Sequence, residues 1–305
     1  MNKTDINYLK AKEKYLKFLK SQEVAGVKFK NKFSQLINFY IPISNIIFKR
    51  YLRFKSTQII GLAGGQGSGK STISKILKII LKEKYNLRTT VFSIDDFYKT
   101  LKERKKMSKK ISPLFLTRGV PGTHDSTILY NCLKNLKKRN FKKISIPKFN
   151  KSIDDRVSKN KWTKITNKPD IVIFEGWCVG AMAQKKKDLE KPFNDLERHM
   201  DKNMIWRNTV NNEIKNNYKK IFDLIDLLVF LKIPSFKYVY KWRLLQEKKL
   251  NKTSKGKKIM NKAEVKKFIM YYERTTKNMF KNLKKKSDIV ISIDTKHRLK
   301  TIRFN

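Results

Sequence analysis

Five short runs of apolar residues recur along the chain, and each is rich in β-branched side chains. Their apolar character is continuous rather than alternating, which is typical of strands that are buried on both faces. The segments between the runs have the spacing of amphipathic helices. The pattern predicts an α/β fold in which a parallel sheet of about five strands is covered by helices on both faces. The five runs span residues 58–63, 89–94, 170–174, 227–233 and 288–293.

The residues before the first run have mainly helical patterning. We expect residues 1–55 to form an N-terminal helical segment that packs on a core domain spanning residues 56–305. Pro42 is expected to split this segment, because proline cannot donate a backbone hydrogen bond inside a helix. The part that follows Pro42 is then expected to pack against the sheet.

Two long segments interrupt the alternation of strands and helices. Residues 98–125 and 142–168 are basic and carry little strand signal. Segments of this length inside a compact domain are usually functional, so we expect lids and substrate-binding insertions here.

The last helix is predicted at about residues 262–284. Asn261 is followed three residues later by Glu264, which is the spacing of a capping box. Such a box satisfies two free backbone donors at the start of a helix.

A glycine-rich loop follows the first apolar run and precedes a helical pattern that begins at Ile73. Its sequence fits G-x-x-x-x-G-K-S, in which successive backbone N–H groups surround a phosphate and the following helix adds its positive end. In this pattern Lys70 meets the β- and γ-phosphates, and Ser71 offers a hydroxyl to Mg²⁺. The loop therefore predicts a P-loop NTPase-type fold that binds a nucleoside triphosphate. The predicted nucleotide-binding residues are Gly64, Gly65, Gln66, Gly67, Ser68, Gly69, Lys70, Ser71 and Thr72.

Acidic residues end two of the other predicted strands, at the edge of the sheet that carries the loop. Asp95 and Asp96 follow the second run, and Glu175 follows the third. We predict that Asp95 accepts the proton of an alcohol that attacks the γ-phosphate, and that Asp96 holds a metal-bound water or a lid residue. Glu175 is predicted to orient Mg²⁺. The alternative is that Asp95 and Asp96 only terminate a strand in solvent, and that Glu175 is a structural carboxylate.

The segment from Arg118 to Asp125 combines a rigid turn with a cation, an imidazole and a carboxylate. This combination suits a small acid that carries hydroxyl groups. Arg118 is a candidate to pair with the substrate carboxylate, and His124 and Asp125 are candidates to bind its hydroxyls. The alternative makes Asp125 a helix N-cap and His124 a surface residue.

An arginine lies in the helical segment after the fourth run. Arg243 is a candidate to neutralise the charge that develops during phosphoryl transfer, because an arginine there can reach over the phosphates. A surface arginine is the alternative reading.

The string Asn167-Lys168-Pro169-Asp170 matches the N-K-x-D pattern that recognises guanine. That pattern has to follow a strand to reach the base, whereas here it precedes one. We therefore treat the match as a coincidence that gives no reason to expect GTP rather than ATP.

The net charge of +48 comes from 73 Lys and Arg against 25 Asp and Glu. Such an excess raises the possibility of nucleic-acid binding. The lysines are scattered through every segment, however, and no platform of interleaved arginines and aromatics is present. We expect no dedicated nucleic-acid partner, and a nucleic-acid-dependent ATPase stays the rival from another functional class.

The sequence contains no predicted membrane span or targeting segment. The longest early apolar stretch, residues 36–48, is interrupted by polar residues and is too short to cross a bilayer. Residues 1–20 lack the apolar core and cleavage site of a signal peptide. Cys132 and Cys178 are too few for a disulfide framework or a four-cysteine zinc site. A cytoplasmic monomer is the expectation.

Four motifs together resemble the P-loop glycerate kinase family of plants, fungi and cyanobacteria. They are Gly-Gly-Gln-Gly-Ser-Gly-Lys-Ser-Thr, Ser-Ile-Asp-Asp-Phe-Tyr, Arg-Gly-Val-Pro-Gly-Thr-His-Asp and Phe-Glu-Gly-Trp-Cys-Val-Gly. The resemblance spans about residues 35–295. It implies a phosphotransferase that converts D-glycerate to 3-phosphoglycerate with ATP and Mg²⁺, the last step of photorespiratory carbon recovery. It also implies kinship to uridine, pantothenate and phosphoribulose kinases, whose strand-end aspartate corresponds to Asp95.

The chain differs from the family in one motif, the family pattern Pro-x-Tyr-Asp-Lys-Ser followed by a glycine-containing stretch and Gly-Asp-Arg. Here residues 147–156 read Pro-Lys-Phe-Asn-Lys-Ser-Ile-Asp-Asp-Arg, without the tyrosine, the first aspartate and the glycines. The resemblance leaves Lys151 and Arg156 as candidate ligands of the substrate or the phosphate. A kinase for another small alcohol, such as a nucleoside or pantothenate, is the alternative within the same class.

Overall fold

A six-stranded sheet forms the centre of the fold in the computed structural model, which describes residues 3–23, 28–253 and 260–305. The strands of the described chain, in sequence order, are β1 (Gln58–Gly64), β2 (Thr89–Ser93), β3 (Ile144–Ile146), β4 (Phe149–Asn150), β5 (Asp155–Arg156), β6 (Thr163–Ile165), β7 (Ile171–Gly176), β8 (Leu227–Lys232), β9 (Ile289–Ile293) and β10 (Leu299–Phe304).

The central sheet has the strand order β10-β9-β8-β1-β7-β2. Five of these strands run parallel, and β10 pairs antiparallel with β9 at one edge. The predicted parallel sheet and its five strands are confirmed. The sixth strand was not predicted, because Leu299–Phe304 is mostly exposed or half-buried and lacks the continuous apolar character of the others.

Helices cover both faces of the sheet, as predicted. The helices of the described chain are α1 (Lys3–Gln22), α2 (Lys32–Gln35), α3 (Ile41–Phe54), α4 (Lys70–Tyr85), α5 (Leu101–Lys110), α6 (Ser126–Lys137), α7 (Lys187–Glu190), α8 (Asp195–Met200), α9 (Ile205–Glu213), α10 (Lys219–Phe222), α11 (Phe236–Thr253) and α12 (Lys262–Lys286). Shorter 3₁₀ turns lie at Ile94–Phe97, Pro113–Leu116 and Lys159–Lys161, and π-helical turns lie at Leu36–Tyr40 and Ile214–Tyr218.

Two apolar layers lie on opposite faces of the sheet, because side chains alternate along each strand. Ile59 of β1 belongs to the layer that contains Leu133 of α6. Its neighbour Ile60 belongs to the other layer, which contains Leu77 of α4. Every residue of β1 is buried, as expected for a central strand that is covered on both sides.

The expected break at Pro42 is absent. The helical path runs from α2 through the π-helical turn Leu36–Tyr40 into α3, and Pro42 lies in the first turn of α3. The amide of Ile41 donates to the carbonyl of Leu36, so the wider turn replaces regular helical bonds immediately before the residue that cannot donate. Residues on both sides of Pro42, including Leu36 and Ile43, are buried in the apolar layer that contains Ile60.

The two insertions form small units beside the carboxyl edge of the sheet. Residues 98–125 contain α5 and the turn Pro113–Leu116, and residues 142–168 contain the antiparallel pairs β3–β6 and β4–β5. The capping box predicted at the last helix is present, since Asn261 and Glu264 exchange hydrogen bonds at the start of α12. In the described part of the chain, no helix has the length and apolar character needed to span a membrane.

Candidate active site

An open cavity of about 460 Å³ lies at the carboxyl edge of the sheet. In open α/β sheets, ligands bind at this edge, in the crevice outside the strand ends. Parallel pairing sets Ala63 of β1 beside Gly176 of β7, and Ser93 of β2 beside Glu175 of β7. The loops that follow these three strands therefore meet at the cavity.

The glycine-rich loop forms one wall of the cavity. Gln66, Gly67 and the stretch from Gly69 to Thr72 line it, whereas Gly64, Gly65 and Ser68 are buried behind it. Helix α4 begins at Lys70, so its positive end points toward any anion held in the loop. This arrangement is suited to binding the phosphates of a nucleotide.

The ammonium of Lys70 folds back onto the loop. Its Nζ donates to the carbonyls of Gly64 at 2.8 Å and Gly65 at 3.0 Å. Burial lowers the pKa of Lys70, and the carboxylates of Glu175 and Asp95 oppose that shift. A bound phosphate would replace these carbonyls as the stronger partner of the ammonium.

Ser71 and Glu175 form a hydrogen-bonded pair beside Lys70. The Ser71 hydroxyl donates to Oε1 of Glu175 at 2.8 Å, and Glu175 is almost fully buried. Burial raises the pKa of Glu175, and the Lys70 ammonium offsets part of the shift. A hydroxyl and a carboxylate are oxygen ligands of the kind that Mg²⁺ uses when phosphates and water supply the rest. The described residues contain no cluster of three or more acidic, His or Cys side chains that could hold a metal alone.

Asp95 projects into the cavity from the turn Ile94–Phe97, directly after β2. Its Oδ1 accepts from the Tyr98 hydroxyl at 2.7 Å, and its Oδ2 accepts from Lys151 Nζ at 2.7 Å. Burial acts to raise the pKa of Asp95, but the Lys151 ammonium and the Tyr98 hydroxyl lower it to about 2. The carboxylate is therefore ionised at neutral pH and able to accept a proton.

Asp96 also borders the cavity, but its carboxylate has a structural bond. Its Oδ2 accepts from the backbone N–H of Ser93 and closes a capping box at the turn. Burial, followed by the charges of Asp95 and Glu175, raises the pKa of Asp96 to about 6, against the effect of the Ser93 bond. The contact predicted for Asp96, with a metal-bound water or a lid residue, stays a prediction.

Arg118 and Lys151 reach the cavity from the two insertions. The guanidinium of Arg118 pairs with Asp154 and lies over the ring of Phe149, with 5.5 Å between the guanidinium carbon and the ring centroid. Lys151 is largely exposed and pairs with Asp95. Both predicted substrate ligands therefore lie at the cavity, and each has a charged partner from the chain itself.

His124, Asp125 and Arg156 lie behind the cavity wall rather than on it. His124 is buried, stacks on Tyr98 with 4.5 Å between ring centroids, and is hydrogen-bonded through Nδ1 to the Tyr218 hydroxyl at 2.6 Å. Burial lowers the pKa of His124 to about 3, so the imidazole is neutral.

Asp125 is the N-cap of α6, because its Oδ1 accepts from the backbone N–H of Ile128 at 3.1 Å. This is the alternative considered for Asp125 from the sequence. Arg156 donates to the carbonyl of Tyr98 at 2.9 Å and pairs with Asp125 at 3.5 Å. These residues support Tyr98 and the loop from behind, and their contacts with a substrate stay predictions.

Arg243 lines the cavity from α11. Its guanidinium pairs with Glu247, donates to Gln246 Oε1 at 3.2 Å and lies over the ring of Phe268. The side chain is thus held at the cavity by its neighbours instead of lying on the free surface. The contact of Arg243 with the phosphates stays a prediction.

Five aromatic residues line the cavity but were not predicted from the sequence to belong to the site: Tyr98, Phe149, Trp177, Phe268 and Tyr272. Tyr98 had a local signal, since it follows Asp95 by three residues in the same strand-end segment. The two aromatics of α12 had none, because their spacing is that of an ordinary buried helix face.

Comparison with known proteins shows that this chain is similar to kinases. The family described as "Phosphoribulokinase / Uridine kinase family" matches residues 59–197. The uncharacterized kinase mug58 of Schizosaccharomyces pombe is 36% identical over 244 residues, which cover 74% of this chain and 85% of that kinase. The chloroplastic D-glycerate 3-kinase of Arabidopsis thaliana is 28% identical over 257 residues, which cover 78% of this chain and 53% of that enzyme. The chain thus spans about half the length of the plant enzyme.

A solved structure supports the same architecture. The structure of D-glycerate 3-kinase from Cryptococcus neoformans var. grubii superposes with a TM-score of 0.74 at 23% identity, covering 87% of this chain and 99% of that one. At this level of identity the likeness concerns the fold.

Proposed function

This chain belongs to the phosphoribulokinase/uridine kinase family, and we propose that it transfers the terminal phosphoryl group of ATP to D-glycerate, giving 3-phosphoglycerate. The family membership establishes a kinase. The choice of acceptor is our proposal, and it is supported by the resemblance in the motifs and by the similarity to the plant D-glycerate 3-kinase.

The observation that carries the proposal is that one cavity contains a phosphate-binding loop, a carboxylate and an arginine. Lys70, Asp95 and Arg118 all border it. An acceptor alcohol needs a base for its hydroxyl proton, and a small acid needs a cation for its carboxylate. D-glycerate has both a hydroxyl and a carboxylate, so these side chains match its chemistry.

In the proposed reaction, the loop amides and Lys70 hold the β- and γ-phosphates of ATP. Ser71 and Glu175 would hold Mg²⁺, which supplies positive charge to the phosphates. Asp95 accepts the proton from the glycerate hydroxyl while its oxygen attacks the γ-phosphorus, and the bond from that phosphorus to the β–γ bridging oxygen breaks. Arg243 swings over the phosphates and neutralises charge in the transition state.

The remaining candidates take supporting parts in this proposal. Arg118 pairs with the carboxylate of glycerate, and Lys151 moves from Asp95 to the transferred phosphoryl group. His124, Asp125 and Arg156 keep Tyr98 and the adjoining loop in place, and through them the orientation of Asp95. Catalysis in such a site is mainly positioning and charge neutralisation.

A coupled assay of ADP release tests the proposal. The full chain is incubated with ATP and Mg²⁺ together with D-glycerate, uridine, pantothenate or ribulose 5-phosphate, and Lys70→Ala serves as the inactive control. We expect turnover with D-glycerate that greatly exceeds turnover with the other acceptors. Turnover with uridine or pantothenate and none with D-glycerate would refute the assignment of the acceptor.

A further inference from the structure

A four-residue turn between β4 and β5, Lys151 to Asp154, carries two opposite charges: Lys151 lines the cavity, and Asp154 pairs with Arg118, which lines it as well. Lys151 Nζ lies 2.7 Å from Oδ2 of Asp95, and the carboxylate of Asp154 pairs with Arg118. In the proposed function, Asp95 contacts the hydroxyl of the acceptor and Arg118 contacts its carboxylate. The turn therefore presents a hydrogen-bond donor to Asp95 and a carboxylate to Arg118, as a bound hydroxy acid would.

We propose that Asp154 is a specificity-determining residue whose carboxylate occupies the position on Arg118 that the carboxylate of an acidic acceptor would take. The inference rests on the proposed function, because it concerns a hydroxy acid as acceptor. It goes beyond that function in assigning an opposing role to a residue of the lid.

The turn is held firmly enough for this role. Arg104 is fully buried, and its guanidinium donates to the carbonyl of Asp154 at 2.6 Å and to the carbonyl of Leu116 at 2.7 Å. It also pairs with Oδ2 of Asp154 at 3.1 Å. Among the described residues, Asp154 is the carboxylate that neutralises both Arg104 and Arg118.

The backbone of Asp154 has a conformation that is unusual for a residue with a side chain. Its φ angle is +53°, in the left-handed region that favours glycine and is tolerated by asparagine and aspartate. An acidic side chain therefore stands where the backbone favours glycine, and its negative charge lies beside Arg118.

The charge of Asp154 affects the binding of acidic acceptors but not that of neutral ones. An acid must displace the Asp154 carboxylate from Arg118 or bind beside it, and either event is opposed by like charge. A neutral alcohol has to displace only Lys151 from Asp95. Asp154 therefore weakens the binding of acids and leaves that of neutral alcohols unchanged.

The test is calorimetric titration of the full chain with D-glycerate in the absence of ATP. Asp154→Asn removes the charge and retains the hydrogen-bonding shape, so we expect its Kd for D-glycerate to be roughly tenfold lower than that of the parent chain. Asp154→Gly provides a second variant, because glycine suits the left-handed backbone and keeps the carbonyl that Arg104 contacts. It should show the same direction of change.

Asp155→Asn is the matched control. Asp155 is the next residue, and its carboxylate accepts from the backbone N–H of Leu101 instead of facing Arg118. It carries the same change in net charge, so its Kd for D-glycerate should equal that of the parent chain. An unchanged or higher Kd in folded Asp154→Asn and Asp154→Gly would overturn the inference, as would an equal gain in Asp155→Asn.

The titration tests the role of Asp154 separately from the proposed function. A parent chain that binds D-glycerate without phosphorylating it would contradict the proposed function, yet the comparison of variants would still decide the role of Asp154. Absence of D-glycerate binding in the parent chain and in both Asp154 variants would overturn the inference as well.

Discussion

The pKa of Asp95 depends strongly on the neighbouring side chains. Burial alone would favour its protonated form, but the contacts with Lys151 and Tyr98 bring its pKa to about 2. A carboxyl whose pKa is lower in the folded state contributes stability above its unfolded value and loses it as the pH falls toward the folded value. The ordinary pKa of an aspartate side chain, which we take for the unfolded chain, is 3.8.

This dependence predicts a pH-dependent difference in the free energy of unfolding between the parent chain and Asp95→Asn. From pH 5 to pH 2.5 the parent should lose about 1.5 kcal/mol relative to the variant, because only the parent takes up a proton at this site on unfolding. Urea unfolding at each pH measures the difference. A difference that stays constant over this range would contradict the account of Asp95.

Glu175 is predicted to act on the metal through its charge. Glu175→Gln keeps an oxygen for the Ser71 hydroxyl but removes the negative charge, so the apparent affinity for Mg²⁺ should fall by roughly tenfold or more. The measurement is the Mg²⁺ dependence of ATP turnover. Glu190→Gln, at an exposed position on α7, is the control and should keep the parent's dependence. An unaltered Mg²⁺ requirement in Glu175→Gln would remove this residue from the metal site.

Packing between elements decides how much change the phosphate loop tolerates. Gly67 and Gly69 both have a positive φ angle, of +78° and +87°. A Cβ atom on Gly67 would lie 2.7 Å from Cβ of Trp242 on α11, whereas one on Gly69 would meet nothing within 4 Å. The packing of α11 therefore leaves no room for a side chain at Gly67, whereas it does not restrict Gly69.

The two alanine variants should therefore differ in stability without nucleotide. Gly69→Ala should cost about 1–2 kcal/mol, the penalty of a left-handed backbone for a residue with a Cβ. Gly67→Ala carries the same penalty and must also displace α11, so its free energy of unfolding should fall further. Chemical denaturation of both variants provides the comparison. Equal losses would mean that the contact with Trp242 is unimportant.

Among the helices and strands, the features that could be predicted from the sequence are those that a local residue pattern determines. The buried parallel strands and the capping box at Asn261 follow from apolar runs and from spacing within a few residues. The edge strand β10 and the unbroken helical path at Pro42 do not. Both depend on tertiary context, since β10 is completed by pairing with β9 and a π-helical turn precedes the proline.

In the candidate site, too, some residues could be predicted from local sequence patterns and others could not. The loop, Asp95 and Glu175 could be placed from the sequence because the carboxyl ends of parallel strands share one edge. The wall aromatics of α12 and the pairing of Arg118 with Asp154 could not, because they arise from contacts between segments that are distant in the chain. His124 has the residue type of a ligand, but the fold buries it behind Tyr98.

The whole molecule combines a kinase cavity with a large positive charge. The net charge of +48 is spread over the chain and is expected to attract anions such as ATP and glycerate most strongly at low salt. It is also the property on which the rival hypothesis of a nucleic-acid-dependent ATPase depends. A decisive measurement therefore has to identify the acceptor and the base together.

That measurement is the rate of 3-phosphoglycerate formation by the parent chain and by Asp95→Asn at saturating ATP, Mg²⁺ and D-glycerate. The parent should form 3-phosphoglycerate, and the variant should be slower by about a hundredfold or more while its Kd for ATP is unchanged. Equal rates in the two proteins, or ATP hydrolysis that needs RNA and yields no phosphoglycerate, would contradict the account.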